Sequence, residues 1–383
     1  MYAKINPALL IWAVKRSGKS IDSLKNKFPK ISEWIEGVTA PTLKQLEGFA
    51  NSTYAPIGFF FLPEPPVETL PLPDFRTLAG EHLQNPSPNL LDTIYICQQR
   101  QEWYKEYAKM NGMKPLDFVG SVKEFEDIQV VAEKIRNKLG FDVEKRKKLA
   151  SWESALSHFI EKVEISGILV MRSGVYMNNN YRHLDVEEFR GFSLSDNLAP
   201  LIFINGADTK AAQMFTLAHE VAHIWLGLSG VTDAQLSIVS KSRVERWCNA
   251  VAAEILVPVS SIEKEFNPDE NLKKEIVRLA KFYKVSTLVI LRRIYDLGAI
   301  SQDKFRIEYR NELERLKSFA DSVGSGGGDF YANQKYKVSS SFAKALLIST
   351  LEGSTLHRDA FKLLGFSKFS TFKELGARLG VII

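Results

Sequence analysis

The sequence predicts an α+β chain that is mainly helical, with a small sheet packed on one long helix. Three observations predict it. Apolar residues recur at helical spacing through most of the 383 residues. Only between residues 165 and 204 does the pattern change, to short β-branched or aromatic runs separated by Gly, Asn, Asp or Pro. Immediately afterwards a long apolar stretch follows a capping residue and stops at Gly227.

Composition excludes several classes of protein. Hydrophobic residues at 45% and charged residues at 25% fit a globular chain and exclude disordered or collagen-like ones. No apolar run approaches the roughly 20 residues that a membrane-spanning helix needs. The longest, residues 57–62, is cut short by Pro63. The two cysteines, Cys97 and Cys248, form neither a disulfide framework nor a cysteine-based zinc cluster. They favour a reducing compartment, and a cytoplasmic protein is expected. The apolar residues before Val14 run into Lys15-Arg16-Ser17-Gly18-Lys19 with no small-residue cleavage site, so they read as a first core helix and not a signal peptide. A net charge of +5 is too small to mark a nucleic-acid partner.

Residues 1–62 read as a module of five short helices. Leu9, Leu10, Trp12 and Ala13 form an apolar stripe. Ser20 caps a second helix with Leu24 and Phe28 inward, and Pro29 stops it. Residues 31–35 form a third, ended by Gly37. Thr39-Ala40-Pro41-Thr42 starts a fourth, with Leu43, Leu46, Phe49 and Ala50 on one face. Residues 63–89 form a proline-dense linker that cannot continue a helix. A helical region spans 90–163, with spacing at Ile94, Cys97, Trp103 and Tyr107 and further helices at 128–139 and 152–163. Strands are expected at 165–170, 175–178, 189–194 and 201–204. Asp208 or Thr209 caps the long helix through Leu226. Another helix runs over 242–257 to Pro258, and helix continues to about residue 316, closing a domain of residues 164–316. After the flexible Ser325-Gly326-Gly327-Gly328, a helical tail occupies 326–383.

The chemistry lies in His219-Glu220-Val221-Ala222-His223, an H-E-x-x-H set. Side chains four apart project from one helix face about 6 Å apart, so two imidazoles can share one zinc ion. Glu220, one step round, can take a proton from water activated by the metal. The flanking Phe215, Leu217, Ala218, Ile224 and Trp225 make the helix apolar nearly all round, hence buried. Two buried imidazoles and a carboxylate without partners would be costly there, and a metal supplies the partner. A third ligand is needed, and the next helix offers Glu245 and Glu254. Nine residues apart, they face opposite ways. Glu245 sits at the edge of the stripe formed by Val244, Cys248, Val251, Ala252 and Ile255 and is the expected ligand; Glu254 points towards solvent. Asn249 is either a support for Glu245 or an ordinary helix polar residue. Strand 201–204 enters the motif helix through a short loop, and in enzymes of this kind an edge strand pairs with an extended peptide, which points to a peptide substrate. Tyr176, Asn178, Asn179, Tyr181, His183 and Arg190 are candidate oxyanion stabilisers, with no choice among them.

Phe189-Arg190-Gly191-Phe192, Pro200-Leu201-Ile202-Phe203-Ile204-Asn205, the run from Phe215 to His223, and Glu245-Arg246-Trp247-Cys248-Asn249 with Ala253-Glu254-Ile255-Leu256-Val257-Pro258 together resemble the ImmA/IrrE family of zinc metallopeptidases. The resemblance covers about residues 165–260 and implies a zincin-like domain, with zinc on His219, His223 and Glu245 and Glu220 as base. It also implies cleavage of a regulatory protein, such as a helix-turn-helix repressor. Ile31-Ser32-Glu33-Trp34-Ile35-Glu36-Gly37 and Pro41-Thr42-Leu43-Lys44-Gln45-Leu46 resemble the end of an Xre-type helix-turn-helix region in longer members, and the tail Gly326-Gly327-Gly328-Asp329-Phe330-Tyr331 resembles theirs too. Glu33 and Glu36 depart from a DNA-reading helix, although residues 1–50 carry eight basic against four acidic side chains. DNA and a protein partner both stay open for this module. A second function class is an antitoxin-like or transcription-regulator binding protein, with a toxin partner or DNA on the N-terminal module and little turnover at the peptidase fold.

Overall fold

The computed structural model describes residues 2–74, 86–232, 242–322, 337–366 and 368–381. Two compact units are present: Met1–Pro71 with Glu81–Tyr95, and Leu72–Gly80 with Ile96–Ile383. The Gly-rich break at 325–328 and Phe330-Tyr331 lie outside the described residues.

The first unit is built from α1 (Pro7–Ser17), α2 (Ile21–Lys25), α3 (Ile31–Ile35), α4 (Leu43–Thr53) and a 3-10 turn (Ile57–Phe61). Each α-helix start but that of α3 has a side-chain cap: Asn6 for α1, Ser20 for α2, and Thr42 with Gln45 as a capping box for α4. Leu9, Leu10, Ala13, Phe28, Ile31, Trp34, Leu46 and Phe49 form its core. The linker begins by lying on this unit. Arg16 grips both carboxylate oxygens of Glu68 at 2.5 and 2.8 Å, and the Asn6 amide donates to the Pro63 carbonyl at 2.8 Å.

The second unit carries the sheet. β1 (Leu169–Ser173), β3 (Leu201–Asn205), β2 (Gly191–Leu194) and β4 (Gly230–Thr232) lie in that order. β1 runs parallel to β3; β2 runs antiparallel to both of its neighbours. Leu169 faces Leu201, Ile204 faces Gly191, and Gly191 in turn faces Thr232. The expected strand at 201–204 is therefore internal, and the edges are β1 and β4. Val231 on β4 donates its N–H to the Pro73 carbonyl at 3.0 Å and bridges Asp74 in parallel.

Two expected strands differ. Residue 165 ends a helix, because the chain leaves that helix through Gly167 at φ 101°, and the strand starts later. Residues 175–178 form a tight turn and not a strand. Val175 makes one isolated bridge to His183, and Met177 takes a left-handed φ of 49°. Pairing cannot extend through a residue so placed.

Around the sheet lie α5 (Pro88–Met110, of which residues from 96 on belong to this unit), α6 (Ile128–Leu139), α7 (Val143–Lys147), α8 (Trp152–Ile165), α9 (Lys210–Leu226) and α10 (Arg243–Leu256). Then come α11 (Val259–Glu265), α12 (Leu272–Tyr283), α13 (Thr287–Asp296), α14 (Gln302–Ser322), α15 (Ser340–Leu351), α16 (His357–Leu364) and α17 (Phe369–Arg378). α9 packs on β2, β3, α8 and α10. Every residue of it from Gln213 to Trp225 is buried. Thr209 caps its start and Gly227, at φ 73°, its end.

Glu254 requires a correction. It is buried at 3% exposure and paired with Arg293 of α13, not solvated. A helical wheel scores only apolarity, so a buried ion pair reads as a surface charge. Glu254 is one part of a clamp on the last turn of α10. Arg136 donates to the Glu254 carbonyl at 2.6 Å, and the buried Arg146 donates to the Leu256 carbonyl. Cationic donors at a helix C-terminus satisfy carbonyls that have no intrahelical partner. Burial lowers the Arg146 pKa to about 9, which still leaves it charged at neutral pH.

Removing one partner of the Arg293–Glu254 pair strands a buried charge. Arg293→Met is expected to cost about 3–5 kcal/mol in denaturant unfolding, and Arg293→Met with Glu254→Leu much less. A double variant as unstable as the single one contradicts this. A second expectation concerns Glu164, which accepts from the Ser340 N–H at 3.0 Å. Burial raises its pKa to about 7 against those hydrogen bonds. A raised carboxyl pKa means that the native state holds more protons, so this group's stabilisation is full below the unfolded value and is lost as pH rises through about 7. Melting temperature should therefore fall from about pH 5 to about pH 8 more steeply in the wild type than in Glu164→Gln.

Candidate metal centre

α9 brings His219 and His223 to one face, as residues one turn apart must lie. α10 crosses it, and its first turn carries Glu245. The three side chains converge. The two imidazole Nε2 atoms are 3.0 Å apart, and Glu245 places Oε2 at 3.2 Å from His219 Nε2 and Oε1 at 2.9 Å from His223 Nε2. Both histidines are fully buried, and Glu245 is 4% exposed.

These distances fit a cation. Bonds of about 2.0–2.2 Å arranged tetrahedrally put ligand atoms roughly 3.3–3.5 Å from one another. The side chains stand within a few tenths of an ångström of that spacing. Among the described residues this is the one group of three such ligands whose donor atoms all lie within 4.8 Å of one another. Two imidazoles and one carboxylate also leave a position for a fourth ligand, as hydrolytic sites require.

Electrostatics agree. Burial opposes charge on His219, yet the Glu245 carboxylate, its hydrogen bond, Glu220 and Asn249 together raise the pKa. Burial likewise opposes charge on Glu245, but the two imidazoles hold its carboxyl well below the usual range. The pocket thus prefers positive charge between these groups, supplied by a proton or, more fully, by a divalent ion.

Glu220 is fully buried beside the cluster. Burial pushes its pKa up, partly offset by His223 and His219. Its Oε1 accepts a hydrogen bond from the Thr232 hydroxyl. Its Oε2 has no hydrogen-bond partner among the described residues. Gly191 makes the arrangement sterically feasible. A Cβ there would stand 2.6 Å from Thr216 Cγ2, 2.9 Å from the Phe203 carbonyl and 3.2 Å from Glu220 Oε1.

The expected site residues therefore come together in four cases: His219, Glu220, His223 and Glu245. Asn249 hydrogen-bonds to His219, and not to Glu245 as the support expected from the sequence. Most of the candidate oxyanion groups have partners of their own. Arg190 pairs with Asp208 at 2.5 Å, and Asn178 donates to the Gly365 carbonyl at 2.7 Å and accepts from Lys337 at 3.0 Å. Arg182 stacks over Tyr176, Asn179 accepts from the Tyr181 N–H, Tyr181 is exposed, and His183 belongs to the Val175 bridge. Sequence reasoning missed Thr232. Its only signal is a β-branched pair, Val231-Thr232, after Gly230, too short a run to read as a strand.

Known proteins show the same domain. Residues 163–295 match the model of the IrrE N-terminal-like domain, a metallopeptidase family designated Peptidase_M78. Residues 338–378 match a domain of unknown function, DUF8813. The radiation response metalloprotease IrrE of Deinococcus radiodurans is 34% identical over 99 residues, which cover 24% of this chain and 30% of that protein. No solved structure matches the chain. The resemblance to ImmA/IrrE peptidases thus holds: the chain carries an IrrE-like metallopeptidase domain, and the H-E-x-x-H set with its downstream glutamate lies inside it.

Purified protein is expected to hold about one divalent transition-metal ion per chain, and His223→Ala or Glu245→Ala to hold none, by elemental analysis. Adding metal at a hundredfold over its dissociation constant should stabilise the stripped wild type by about 2.7 kcal/mol and leave His223→Ala unchanged. Retention of metal by both variants would place the ion elsewhere.

Proposed function

We propose that the chain is a zinc-dependent endopeptidase that cleaves a regulatory protein, with His219, His223 and Glu245 as zinc ligands and Glu220 as general base. The observation that carries this reading is the convergence of the two imidazoles and the Glu245 carboxylate within 2.9–3.2 Å of one another, with Glu220 alongside. Zinc suits two nitrogens and one carboxylate and, when bound, supplies the Lewis acidity that makes water nucleophilic at neutral pH.

Glu220 does the proton work. Its Oε1 is tied to Thr232, so Oε2 is the oxygen left to take a proton from the attacking water. The same oxygen then hands the proton to the departing amine. Burial raises the Glu220 pKa, which suits a group that must both accept and release a proton. Asn249 and Glu245 orient the His219 ring.

A protein substrate follows from the metallopeptidase family, and a helix-turn-helix repressor is the substrate we favour. The related protein from Deinococcus is named for a radiation response, which supports a regulatory target. Within the N-terminal unit α3 is only five residues long, and its Glu33 accepts from Thr39. A short segment bearing Glu33 and Glu36 suits protein recognition better than phosphate contact.

Glu220→Gln is expected to retain metal and to cut the cleavage rate by about 10²–10⁴-fold. Gel and mass-spectrometric assay of repressor-type proteins encoded beside this gene, wild type against variant, checks it. Equal cleavage by both proteins rejects Glu220 as the base.

A further inference from the structure

Thr232 stands out among buried polar groups because its hydroxyl faces the carboxylate of the proposed base and nothing in the H-E-x-x-H pattern calls for it. Resting on the reading of Glu220 as base, we propose that Thr232 is the positioning residue of this site: its hydroxyl fixes Glu220 Oε1 and thereby selects Oε2 as the proton-carrying atom.

Three features of the fold converge on this contact. The antiparallel register of β2 and β4 sets Thr232 opposite Gly191, and α9 packs over β2. Because Gly191 lacks a side chain, Glu220 Oε1 lies where a Cβ would crowd it at 3.2 Å. Thr232 and Glu220 are both fully buried, so no solvent competes for the hydrogen bond. A carboxylate in such surroundings takes the strongest donor within reach, and a hydroxyl donating to an ionised oxygen makes a short, strong bond.

The hydroxyl can serve Glu220 in both of its protonation states. It has one proton to give and two acceptors within reach: Glu220 Oε1, and the Gly191 carbonyl at 3.4 Å. While Glu220 is ionised, the hydroxyl points at Oε1, and the negative charge left on Oε2 faces away from Thr232. Once Oε2 has taken a proton, the hydroxyl either keeps its bond to the now neutral group or turns to the Gly191 carbonyl. It is unsatisfied in neither state, so the strand need not move during turnover. Without that bond the carboxylate of a glutamate, free about its last torsion, can present either oxygen.

The experiment uses the full chain in three forms: wild type, Thr232→Val and Thr232→Ser. Valine keeps the shape and removes the donor, and serine restores the donor. Crystal structures are expected to show the Glu220 carboxylate rotated or displaced in Thr232→Val and in its wild-type place in Thr232→Ser. Metal content should be equal in all three. On a repressor that the wild type cleaves, Thr232→Val should lower kcat roughly 10- to 100-fold with little change in KM, and Thr232→Ser should recover most of it. An unmoved carboxylate in the valine variant, or a valine variant with full kcat where Glu220→Gln has none, overturns the role of Thr232 and leaves Glu220 as base. Full cleavage by Glu220→Gln overturns the base instead. If valine impairs folding, Thr232→Ser against Thr232→Ala, compared at matched folded fraction, separates the loss of the donor from the loss of packing.

Discussion

The crossing of α9 by α10 is the contact on which the site rests. α9 is buried from Gln213 to Trp225, its two histidines and its glutamate included. Polar groups so enclosed are tolerable only with partners, and α10 delivers the partner in Glu245. The helix that brings this carboxylate is itself fixed at its other end. Arg136, Arg146 and Arg293 satisfy the last carbonyls and the Glu254 side chain. A shift of about one ångström in α10 would spoil the spacing of the three donor atoms, so the clamp at residues 254–256 bears on chemistry some three turns away.

The sheet, which α9 also packs on, performs a complementary task. β2 offers a glycine where the helix comes close, and β4 offers a hydroxyl where the carboxylate of Glu220 would be unpaired. The two neighbouring acidic groups therefore receive different environments. Glu245, between two imidazoles, is held ionised; Glu220, against the sheet, has its pKa raised. Environments that push two carboxyl pKa values apart suit the two different roles proposed for this pair, ligand and base.

What the sequence revealed and what it hid follow from range. His219, Glu220 and His223 were legible because their relation is set by one helix repeat, and Glu245 because it lies beside an apolar stripe of its own helix. Thr232 was not legible: its strand is three residues long, and its partners lie 12 and 41 residues away in the chain. Glu254 was misread because burial by an ion pair leaves no apolar mark. Asn178 belongs to a further case. It was a reasonable oxyanion candidate by type, but its amide is engaged by Gly365 and Lys337, contacts across more than 150 residues that no local pattern encodes. Helix boundaries fared better, since Ser20, Thr42, Thr209 and Gly227 act through neighbours two to four residues off.

The proline-dense segment shows how one composition serves two needs. Read alone, Leu70-Pro71-Leu72-Pro73 is a spacer, because proline cannot continue a helix. In the second unit, however, Pro73 gives its carbonyl to the Val231 N–H, and Asp74 bridges β4. An unpaired sheet edge recruits other strands, and β4 needs cover because its next residue holds Glu220. Proline is well chosen for that cover: it accepts one hydrogen bond from the edge and, lacking an N–H, cannot carry the ladder onward. The sheet is thus ended by the same residues that prevent the linker from becoming helix, and the edge strand that carries Thr232 is covered at Val231.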